Sequence, residues 1–279
     1  MTVNPFDYAG RRVVVTGCAS GIGRSLAETL VGLGADVIGL DLAPTEIDGA
    51  ETRRVDLADS GSVAAVATDI TEPVDGLFNV AGLSGTVSPE MVVGINFVGT
   101  RELTELLRPK MRPGAAIVMT ASIAASRYVE RRRLVEGLTT ASDRASAMRW
   151  CREHRDEIGT GYAVSKDAVV WYTLLHAAQL AADGIRINCV APGLTETPIL
   201  EASRASRGSA FLDAIPRPLG RMSDPAEQAN VMAFLGSPAA SYLAGQIIWA
   251  DGGYTAGLST GEFENVTGAV GLAPQDGDR

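Results

Sequence analysis

The chain has 279 residues, of which 46% are hydrophobic and 20% charged, as is typical of a globular protein with one large α/β domain or two small ones. Its net charge of −9 argues against a nucleic-acid-binding or anionic-membrane-binding surface. No run of about 18 apolar residues is free of charge, so we expect no membrane span. The three cysteines lack metal-ligand or redox spacing, which favours reduced thiols in the cytoplasm.

Short β-branched runs alternate along the chain with longer helical patterns. This alternation predicts an α/β fold in which a doubly wound parallel sheet of seven strands is covered by helices on both faces. We therefore predict a single domain over residues 1–268, followed by a flexible tail at 269–279. The predicted strands are Arg12–Thr16, Asp36–Asp41, Thr52–Val55, Gly76–Val80, Ala115–Ala121, Ile185–Ala191 and Ile247–Ala250. The predicted helices are Gly21–Leu33, Ser60–Ile70, Pro89–Leu107, Thr160–Ala182 and Pro225–Leu235.

Two segments interrupt this alternation. Residues 126–159 are dense in charge but keep apolar residues at helical spacing, which predicts a small helical insertion. Its basic run Arg131-Arg132-Arg133 is surrounded by acids, so we interpret it as a solvated helix face rather than a nucleic-acid patch. Residues 196–218 are interpreted as a mobile lid, with ordinary packing of an amphipathic helix as the alternative. The apolar residues of this second segment are Ile199, Leu200, Phe211, Leu212 and Ile215.

A glycine-rich turn separates the first predicted strand from the first predicted helix, in the run Thr16-Gly17-Cys18-Ala19-Ser20-Gly21-Ile22-Gly23. A turn without bulky side chains lets backbone N–H groups approach a pyrophosphate, and the helix N-terminus adds partial positive charge. Because a strand precedes the turn and a helix follows it, dinucleotide binding is favoured over a plain turn. The residues predicted to bind the cofactor here are Gly17, Ser20, Gly21, Ile22 and Gly23.

The second predicted strand ends at Asp41, where a carboxylate can accept hydrogen bonds from the adenosine ribose and would repel a 2′-phosphate. Neither Ser20 nor Leu42 supplies a cation to offset that repulsion, so we predict NAD rather than NADP. Arg24 lies close enough to leave NADP open, and a turn or N-cap role is the alternative for Asp41. The further predicted cofactor contacts are Leu42, Asp56 and Leu57 near the adenine, and Asn79, Ala81 and Gly82 near the ribose.

Tyr162 and Lys166 are four residues apart in a predicted helix, so they share one face. Free tyrosine has a pKa of about 10, and a nearby ammonium group lowers it by stabilising phenolate. The phenol can then exchange a proton with a substrate oxygen near neutral pH. The same spacing also occurs in ordinary exposed helix pairs, but here it shares a chain with a nucleotide-binding loop.

These motifs, in this order, resemble those of the short-chain dehydrogenase/reductase family over about residues 8–254. The resemblance implies a Rossmann fold and an NAD-dependent oxidoreductase acting on CH–OH groups. It implies that Tyr162 is the general acid/base, that Ser122 binds the substrate oxygen, and that Lys166 lowers the tyrosine pKa and holds the nicotinamide ribose. Asn96 would position a water molecule in a proton relay. Pro192, Gly193 and Thr195 would flank the nicotinamide, and Thr197 would meet its carboxamide or the pyrophosphate. The alternatives are a helix kink for Asn96, a strand-end turn for Ser122, and Ser126 in place of Ser122.

The chain departs from the usual family pattern between Ser122 and Tyr162, where the insertion at 126–159 separates the two residues. The insertion resembles the one found in the bacterial 3α-hydroxysteroid dehydrogenase/carbonyl reductase branch of the family. This resemblance implies a bulky neutral secondary or cyclic alcohol as substrate. An aromatic allylic alcohol of the coniferyl type is the alternative, and a non-catalytic NAD-binding regulatory protein is a hypothesis of another class. Arg204, Arg207 and Arg217 are interpreted as solvated, and the scattered His154 and His176 suggest no metal site.

The resemblance also implies an assembly. The family's usual tetramer packs the helices that carry Asn96 and Tyr162 against a neighbouring subunit. An insertion just before the Tyr162 helix would cover that face. We therefore expect a homodimer through residues 225–254, with a tetramer as the alternative.

Overall fold

A computed structural model of the chain describes residues 4–264, apart from the side chains of residues 207 and 209. Seven parallel strands form one sheet in the order β3-β2-β1-β4-β5-β6-β7, which confirms the predicted doubly wound fold. The strand order reverses between β1 and β4, so a crevice opens there at the carboxyl ends of the strands. The strands are β1 (Arg12–Thr16), β2 (Asp36–Asp41), β3 (Ala50–Arg54), β4 (Val74–Asn79), β5 (Met111–Thr120), β6 (Arg186–Pro192) and β7 (Ile247–Ala250). The predicted tail at 269–279 lies outside the described residues.

The central strands are buried on both faces, as their continuous apolar runs predict. Val13, Val14 and Val15 of β1 are each 0% exposed. Successive side chains of a strand point to opposite faces, so Val14 packs in one core layer while Val13 and Val15 pack in the other. Helices on both faces complete these layers.

The helices follow the predicted positions closely, and most boundaries move by one or two residues. The predicted helix at 89–107 is continuous but irregular, because a π-helical segment at Gly94–Gly99 joins its two α-helical parts. No helix in residues 4–264 is long and apolar enough to cross a membrane. The helices are α1 (Gly21–Gly32), α2 (Ser60–Asp69), α3 (Pro89–Val93), α4 (Thr100–Leu107), α5 (Arg132–Thr139), α6 (Arg144–Glu153), α7 (Arg155–Ile158), α8 (Tyr162–Ala182), α9 (Pro198–Arg207), α10 (Ser209–Asp213), α11 (Pro225–Gly236) and α12 (Tyr254–Thr260).

Residues 126–159 form a helical insertion, as predicted, through α5, α6 and α7. Val135 and Leu138 are 0% exposed and extend the main core outward. Arg101 of α4 is 4% exposed and donates from Nη1 to the Ala141 carbonyl at 2.9 Å. Arg144 donates to the Glu102 carboxylate at 2.5 Å. The insertion is therefore anchored on α4 by buried and half-buried arginines.

The interpretation of the basic run as a solvated helix face is wrong for Arg131, while Arg132 and Arg133 are exposed, as predicted. The Arg131 guanidinium contacts the Asp167 carboxylate and donates to the Ala124 carbonyl at 2.8 Å. The Arg132 guanidinium lies 5.1 Å from the centre of the Trp171 ring. Arg131 lies just before α5, where the chain folds back onto α8, so its side chain points inward, whereas Arg132 and Arg133 belong to the exposed first turn of α5.

The segment at 196–218 contains α9 and α10, which match its amphipathic pattern. Leu200, Leu212 and Ile215 are 3–8% exposed and pack in one cluster with Ile123 and Tyr254. This cluster lies over the carboxyl ends of β5 and β6. Opening of the segment as a lid stays a prediction.

Candidate active site

A cleft of about 380 Å³ lies at the carboxyl ends of the strands and brings most of the predicted site residues together. Its walls come from the turn after β1, the ends of β2 and β4, the segment after β5, the first turn of α8 and the segment after β6. The predicted residues that line it are Gly17, Ser20, Gly21, Ile22, Gly23, Asp41, Leu42, Asp56, Leu57, Ala81, Gly82, Ser122, Tyr162, Lys166, Pro192, Gly193, Thr195 and Thr197. Ser126, the alternative to Ser122, is not among the lining residues.

The glycine-rich turn is closed so tightly that side chains would not fit at its key positions. A Cβ on Gly23 would lie 2.1 Å from the Gly17 carbonyl oxygen, and a Cβ on Gly17 would lie 2.8 Å from the Cα of Ala81. Gly17 also has a φ of 73°, which favours glycine. The turn thus presents backbone rather than side chains to the cleft, which is the cradle that a pyrophosphate requires.

Thr16 helps to shape the cleft, although it is not among the residues predicted to bind the cofactor. It is 1% exposed at the end of β1, and its Oγ1 accepts from the N–H groups of Val80 at 2.9 Å and Ala81 at 3.0 Å. The hydroxyl joins the turn after β1 to the turn after β4, so that both edges of the cleft keep a fixed spacing. The sequence signal that could have predicted this contact is a hydroxyl-bearing residue immediately before the first glycine of the turn.

Asp41 is held at the tip of β2 by backbone donors. Its two carboxylate oxygens accept from the N–H groups of Ala19 and Ala43, both at 2.9 Å. Arg24, the residue that left NADP open, donates from Nε to the Glu28 carboxylate at 2.9 Å. The carboxylate therefore lines the cleft while the nearby guanidinium is engaged along the outer face of α1.

Asn79 is not among the residues that line the cleft, and its predicted contact with the cofactor ribose stays a prediction. It is 2% exposed, its Nδ2 donates to Thr104 Oγ1 at 3.0 Å, and its carbonyl accepts from Thr120 Oγ1 at 2.7 Å. As the last residue of β4, it points toward α4, and the next residue, Val80, lines the cleft. Asn79 fixes β4 against α4 and β5.

Lys166 is the one cation among the described residues that line the cleft. It is 4% exposed, its Nζ donates to the Thr120 carbonyl at 2.8 Å, and it lies 5.8 Å from the centre of the Tyr162 ring. Burial lowers the pKa of Lys166 to about 8. A Cβ on Gly82 would lie 3.7 Å from Nζ, so glycine keeps space open beside the ammonium group.

Asn96 lies in the π-helical segment beneath the cleft, and its side chain binds backbone. Its Oδ1 accepts from the Leu83 N–H at 2.7 Å, and its Nδ2 donates to the Leu83 carbonyl at 3.0 Å and to Ser165 Oγ at 3.3 Å. Ser165 Oγ in turn donates to the Tyr162 carbonyl at 2.7 Å. The amide thus joins the loop after β4 to the first turn of α8, and the predicted water relay stays a prediction.

Ser122 begins the short 3-10 turn at Ile123–Ala125 that follows β5. It is 8% exposed, and its Oγ accepts from the Ala124 N–H at 3.2 Å. The side chain therefore shapes the turn and also lines the cleft. A role in the turn at the end of β5 is thus compatible with the predicted role in binding the substrate oxygen. The hydroxyl proton remains available for a substrate oxygen.

The segment after β6 completes the far wall of the cleft. Gly193 packs against the chain at Asp251, where a Cβ would lie 2.8 Å from the Asp251 Cα. Thr195 Oγ1 bonds Ser223 Oγ at 2.8 Å, and Thr197 Oγ1 caps α9 by accepting from the Leu200 N–H at 3.3 Å. A Cβ on Gly21 would lie 3.2 Å from Thr197 Cγ2, so the two segments predicted to bind the cofactor meet there.

The cleft differs in polarity along its length. Its charged lining residues in the described part of the chain are Asp41, Asp56 and Lys166. Beyond Ser122 and Tyr162 the walls are apolar or hydroxyl-bearing, and neither Arg204 nor Arg217 lines them. Arg217 pairs instead with Asp213 at 3.6 Å. The walls at this end include Leu83, Ser84, Ile123, Thr160, Leu194, Ile199, Leu200, Ser203, Phe211, Leu212 and Ile215.

Two protein-family models together match most of the chain. Residues 11–133 match the family model described as short chain dehydrogenase, and residues 154–255 match the one described as enoyl-(acyl carrier protein) reductase. The two matched ranges leave out residues 134–153, the centre of the insertion.

Similar proteins cover nearly the whole chain. The chain is 35% identical over 263 residues to the 3-alpha-hydroxysteroid dehydrogenase/carbonyl reductase of Comamonas testosteroni, which covers 90% of this chain and 99% of that protein. It is 29% identical over 248 residues to a coniferyl-alcohol dehydrogenase of Pseudomonas sp., with 88% and 97% covered. The solved structure of the 3-alpha-hydroxysteroid dehydrogenase from Pseudomonas sp. B-0831, complexed with NADH, gives a TM-score of 0.77 at 34% identity, with 91% and 100% covered. The chain therefore belongs to the short-chain dehydrogenase/reductase family of oxidoreductases.

Proposed function

We propose that this protein is an NAD-dependent dehydrogenase/reductase that interconverts a bulky neutral secondary or cyclic alcohol and its ketone, with Tyr162 as general acid/base. One observation carries the proposal. A single cleft joins the glycine-rich turn at one end to Ser122, Tyr162 and Lys166 at the other. That arrangement allows a dinucleotide and an alcohol to meet at the side chains that can move the hydroxyl proton.

The proposed chemistry divides the work between two side chains and a buried cation. During oxidation, the Tyr162 oxygen takes the hydroxyl proton of the alcohol, and during reduction it returns a proton to the carbonyl oxygen. Ser122 donates a hydrogen bond to the same substrate oxygen and stabilises its developing charge. The Lys166 ammonium favours the phenolate form of Tyr162. The glycine-rich turn, Asp41 and Lys166 would hold NAD, which would supply the hydride chemistry at the carbinol carbon.

NAD is proposed over NADP because of the charges at the adenosine end. The tight turn at Gly17–Gly23 suits a pyrophosphate, since Gly17 and Gly23 let backbone segments pack so closely that the turn offers N–H groups rather than side chains to the cleft. Asp41 offers a carboxylate that binds ribose hydroxyls and repels a phosphate. Arg24, the cation just past the turn, is paired with Glu28. The NADH complex of the structurally similar 3-alpha-hydroxysteroid dehydrogenase supports the same choice.

A neutral, apolar substrate is proposed because the substrate end of the cleft carries no cation besides Lys166 among its described lining residues. A carboxylate or phosphoryl group would be desolvated there without a partner, which is costly. Leu200, Phe211 and Ile215 offer apolar surface to a ring system instead. We further propose that α9 and α10 open as a lid to admit it.

The test is a panel of cyclic secondary alcohols, hydroxysteroids, aromatic allylic alcohols and the matching carbonyl compounds, each with NAD and NADP and followed by nicotinamide absorbance. We expect turnover of cyclic or steroid alcohols and ketones with NAD. Turnover of aromatic allylic alcohols alone would move the assignment to the coniferyl type, which the name of one similar protein favours. NADH binding without turnover of any compound would overturn the enzymatic proposal.

A homodimer is proposed as the assembly. Arg101 and Arg144 tie the insertion onto α4, so that face is covered within the chain. At the other end of the molecule, the residues of the edge strand β7 are all partly exposed, and Tyr242 is fully exposed. A dimer through residues 225–254 would cover this edge. Light scattering that gives a stable tetramer would contradict the proposal.

A further inference from the structure

One guanidinium from the insertion joins the two segments that carry the proposed catalytic side chains. The Arg131 side chain is 14% exposed. Its Nη2 donates to the Ala124 carbonyl at 2.8 Å and to the Asp167 carboxylate at 3.1 Å, and its Nε donates to the second oxygen of the same carboxylate. Ala124 lies in the turn that Ser122 begins, and Asp167 directly follows Lys166 in α8.

The chemistry of this contact favours a geometric role. Asp167 is 0% exposed, and both of its oxygens face the planar Arg131 fork, which fixes orientation as well as distance. A buried ion pair adds little net stability, since apolar residues of similar volume often serve as well. The Ala124 carbonyl accepts a hydrogen bond from the same guanidinium. Because Asp167 belongs to α8, this shared contact couples the position of the turn to the position of α8.

Neighbouring contacts place the whole strap at 126–131 against α8. Trp171, one helical turn after Asp167, donates from Nε1 to the Tyr128 carbonyl at 2.9 Å. The Tyr128 N–H in turn donates to the Ala125 carbonyl at 2.9 Å. Arg132 contacts the Trp171 ring from outside and makes none of the bonds to the turn or to Asp167.

We propose that Arg131 is a positioning residue that sets the distance between Ser122 and Tyr162 by clamping the Ile123–Ala125 turn to α8. This rests on the proposed function, in which both side chains must reach one substrate oxygen. A misplacement of about 1 Å can cost about 100-fold in rate. The insertion thus contributes to the alignment of Ser122 with Tyr162, in addition to covering the outer face of α4.

The central variant is the double substitution Arg131→Met with Asp167→Leu, which removes the clamp without leaving a lone buried charge. We expect kcat to fall by about 10- to 100-fold while KM for NAD stays within about twofold, because the adenosine end is untouched. Arg131→Lys keeps the charge but lacks the fork, so it should give an intermediate kcat. Arg132→Met is the matched control and should keep kcat within about twofold.

A double-mutant cycle that combines the clamp substitutions with Ser122→Ala separates a positioning role of Arg131 from a general loss of structure. If Arg131 acts through Ser122, removing the clamp should cost much less in the Ser122→Ala background than in the wild-type protein. If the loss of kcat caused by removing the clamp were the same with and without Ser122, the two sites would act independently and the proposal would be overturned. A folded double variant whose kcat lies within about twofold of the wild-type value would overturn it as well.

Hydrogen exchange of the ligand-free protein supplies a readout that needs no turnover. The Ala125 and Ser126 N–H groups bond within the turn, and they should exchange faster in the double variant than in Arg132→Met. Equal exchange rates in the two variants would overturn the clamp, whatever the enzyme's substrate. Faster exchange together with an inactive wild-type protein would retain the clamp and contradict the proposed function.

Discussion

The two ends of the cleft are built by opposite means. At the nucleotide end the chain leaves out side chains, so that Gly17 and Gly23 expose backbone within one strand-turn-helix unit. At the proposed catalytic end it buries charged side chains, with Lys166 bound to the Thr120 carbonyl and Asp167 bound to Arg131. The first end is a local property of contiguous residues. The second depends on carbonyls and counter-charges that come from distant segments, so the two ends should respond differently to substitution.

The largest effect is expected at the catalytic end, from Tyr162→Phe. Loss of a general acid/base typically costs about 10²- to 10⁴-fold, so kcat should fall to that extent while NADH affinity changes little. Stopped-flow turnover and NADH fluorescence titration would measure both quantities. The matched control is Tyr242→Phe, which lies outside the cleft and should leave kcat unchanged. Turnover by Tyr162→Phe at the wild-type rate would assign proton transfer to another group.

Gly23→Ala should damage the nucleotide end instead. The added Cβ would lie 2.1 Å from the Gly17 carbonyl oxygen, and overpacking of this kind costs about 1–3 kcal/mol. We expect NADH binding to weaken by about 10- to 100-fold. Gly32→Ala on the same helix is the control, because nothing lies within 4 Å of its Cβ position. It should leave NADH affinity unchanged, and equal NADH affinity in both variants would contradict the close-approach argument.

Asp41→Ser should change the cofactor preference without abolishing activity. Removing the carboxylate takes away a ribose acceptor and the repulsion of a 2′-phosphate, so the ratio of kcat/KM for NADP to that for NAD should rise by about tenfold or more. Steady-state kinetics with both cofactors measures the ratio. Arg24→Met should leave it within about twofold, since Arg24 is engaged with Glu28. A marked fall in NADP use by Arg24→Met would show instead that Arg24 binds the phosphate.

The smallest expected effect is a pH dependence of stability at the buried ion pair. Burial raises the pKa of Asp167 to about 6, while Arg131 and Arg127 oppose the rise and Glu130 adds to it. Between about pH 4 and pH 6 the folded state therefore binds more protons than the unfolded state, so the free energy of unfolding falls as the pH rises.

Denaturant unfolding from pH 4 to pH 7 would measure this fall, which a single group limits to about 1.4 kcal/mol per pH unit. Asp167→Asn should reduce it, because the amide does not titrate. Asp183→Asn, at the exposed carboxylate that pairs with Arg108, is the matched control. An unchanged slope in Asp167→Asn would show that Asp167 is ionised throughout this range.

By itself, the sequence determined the features that depend on neighbouring residues. The strand pattern predicted all seven strands and the doubly wound sheet, because buried parallel strands need continuous apolar runs. The glycine-rich turn and the spacing of Tyr162 and Lys166 are local as well, and the structure brings them to one cleft. Helical periodicity likewise predicted the insertion at 126–159.

Tertiary structure alone decided which polar side chains point into the cleft and which point away from it. Asn79 belongs to a recognisable motif, yet its side chain turns toward Thr104. Thr16 was not predicted to have a role of its own, yet its hydroxyl joins the turn after β1 to the turn after β4. Arg131 lies in a run that resembles a solvated surface, yet its partners are Ala124 and Asp167. Each outcome depends on a donor or acceptor far along the chain, and sequence periodicity carries no information about such long-range hydrogen bonds.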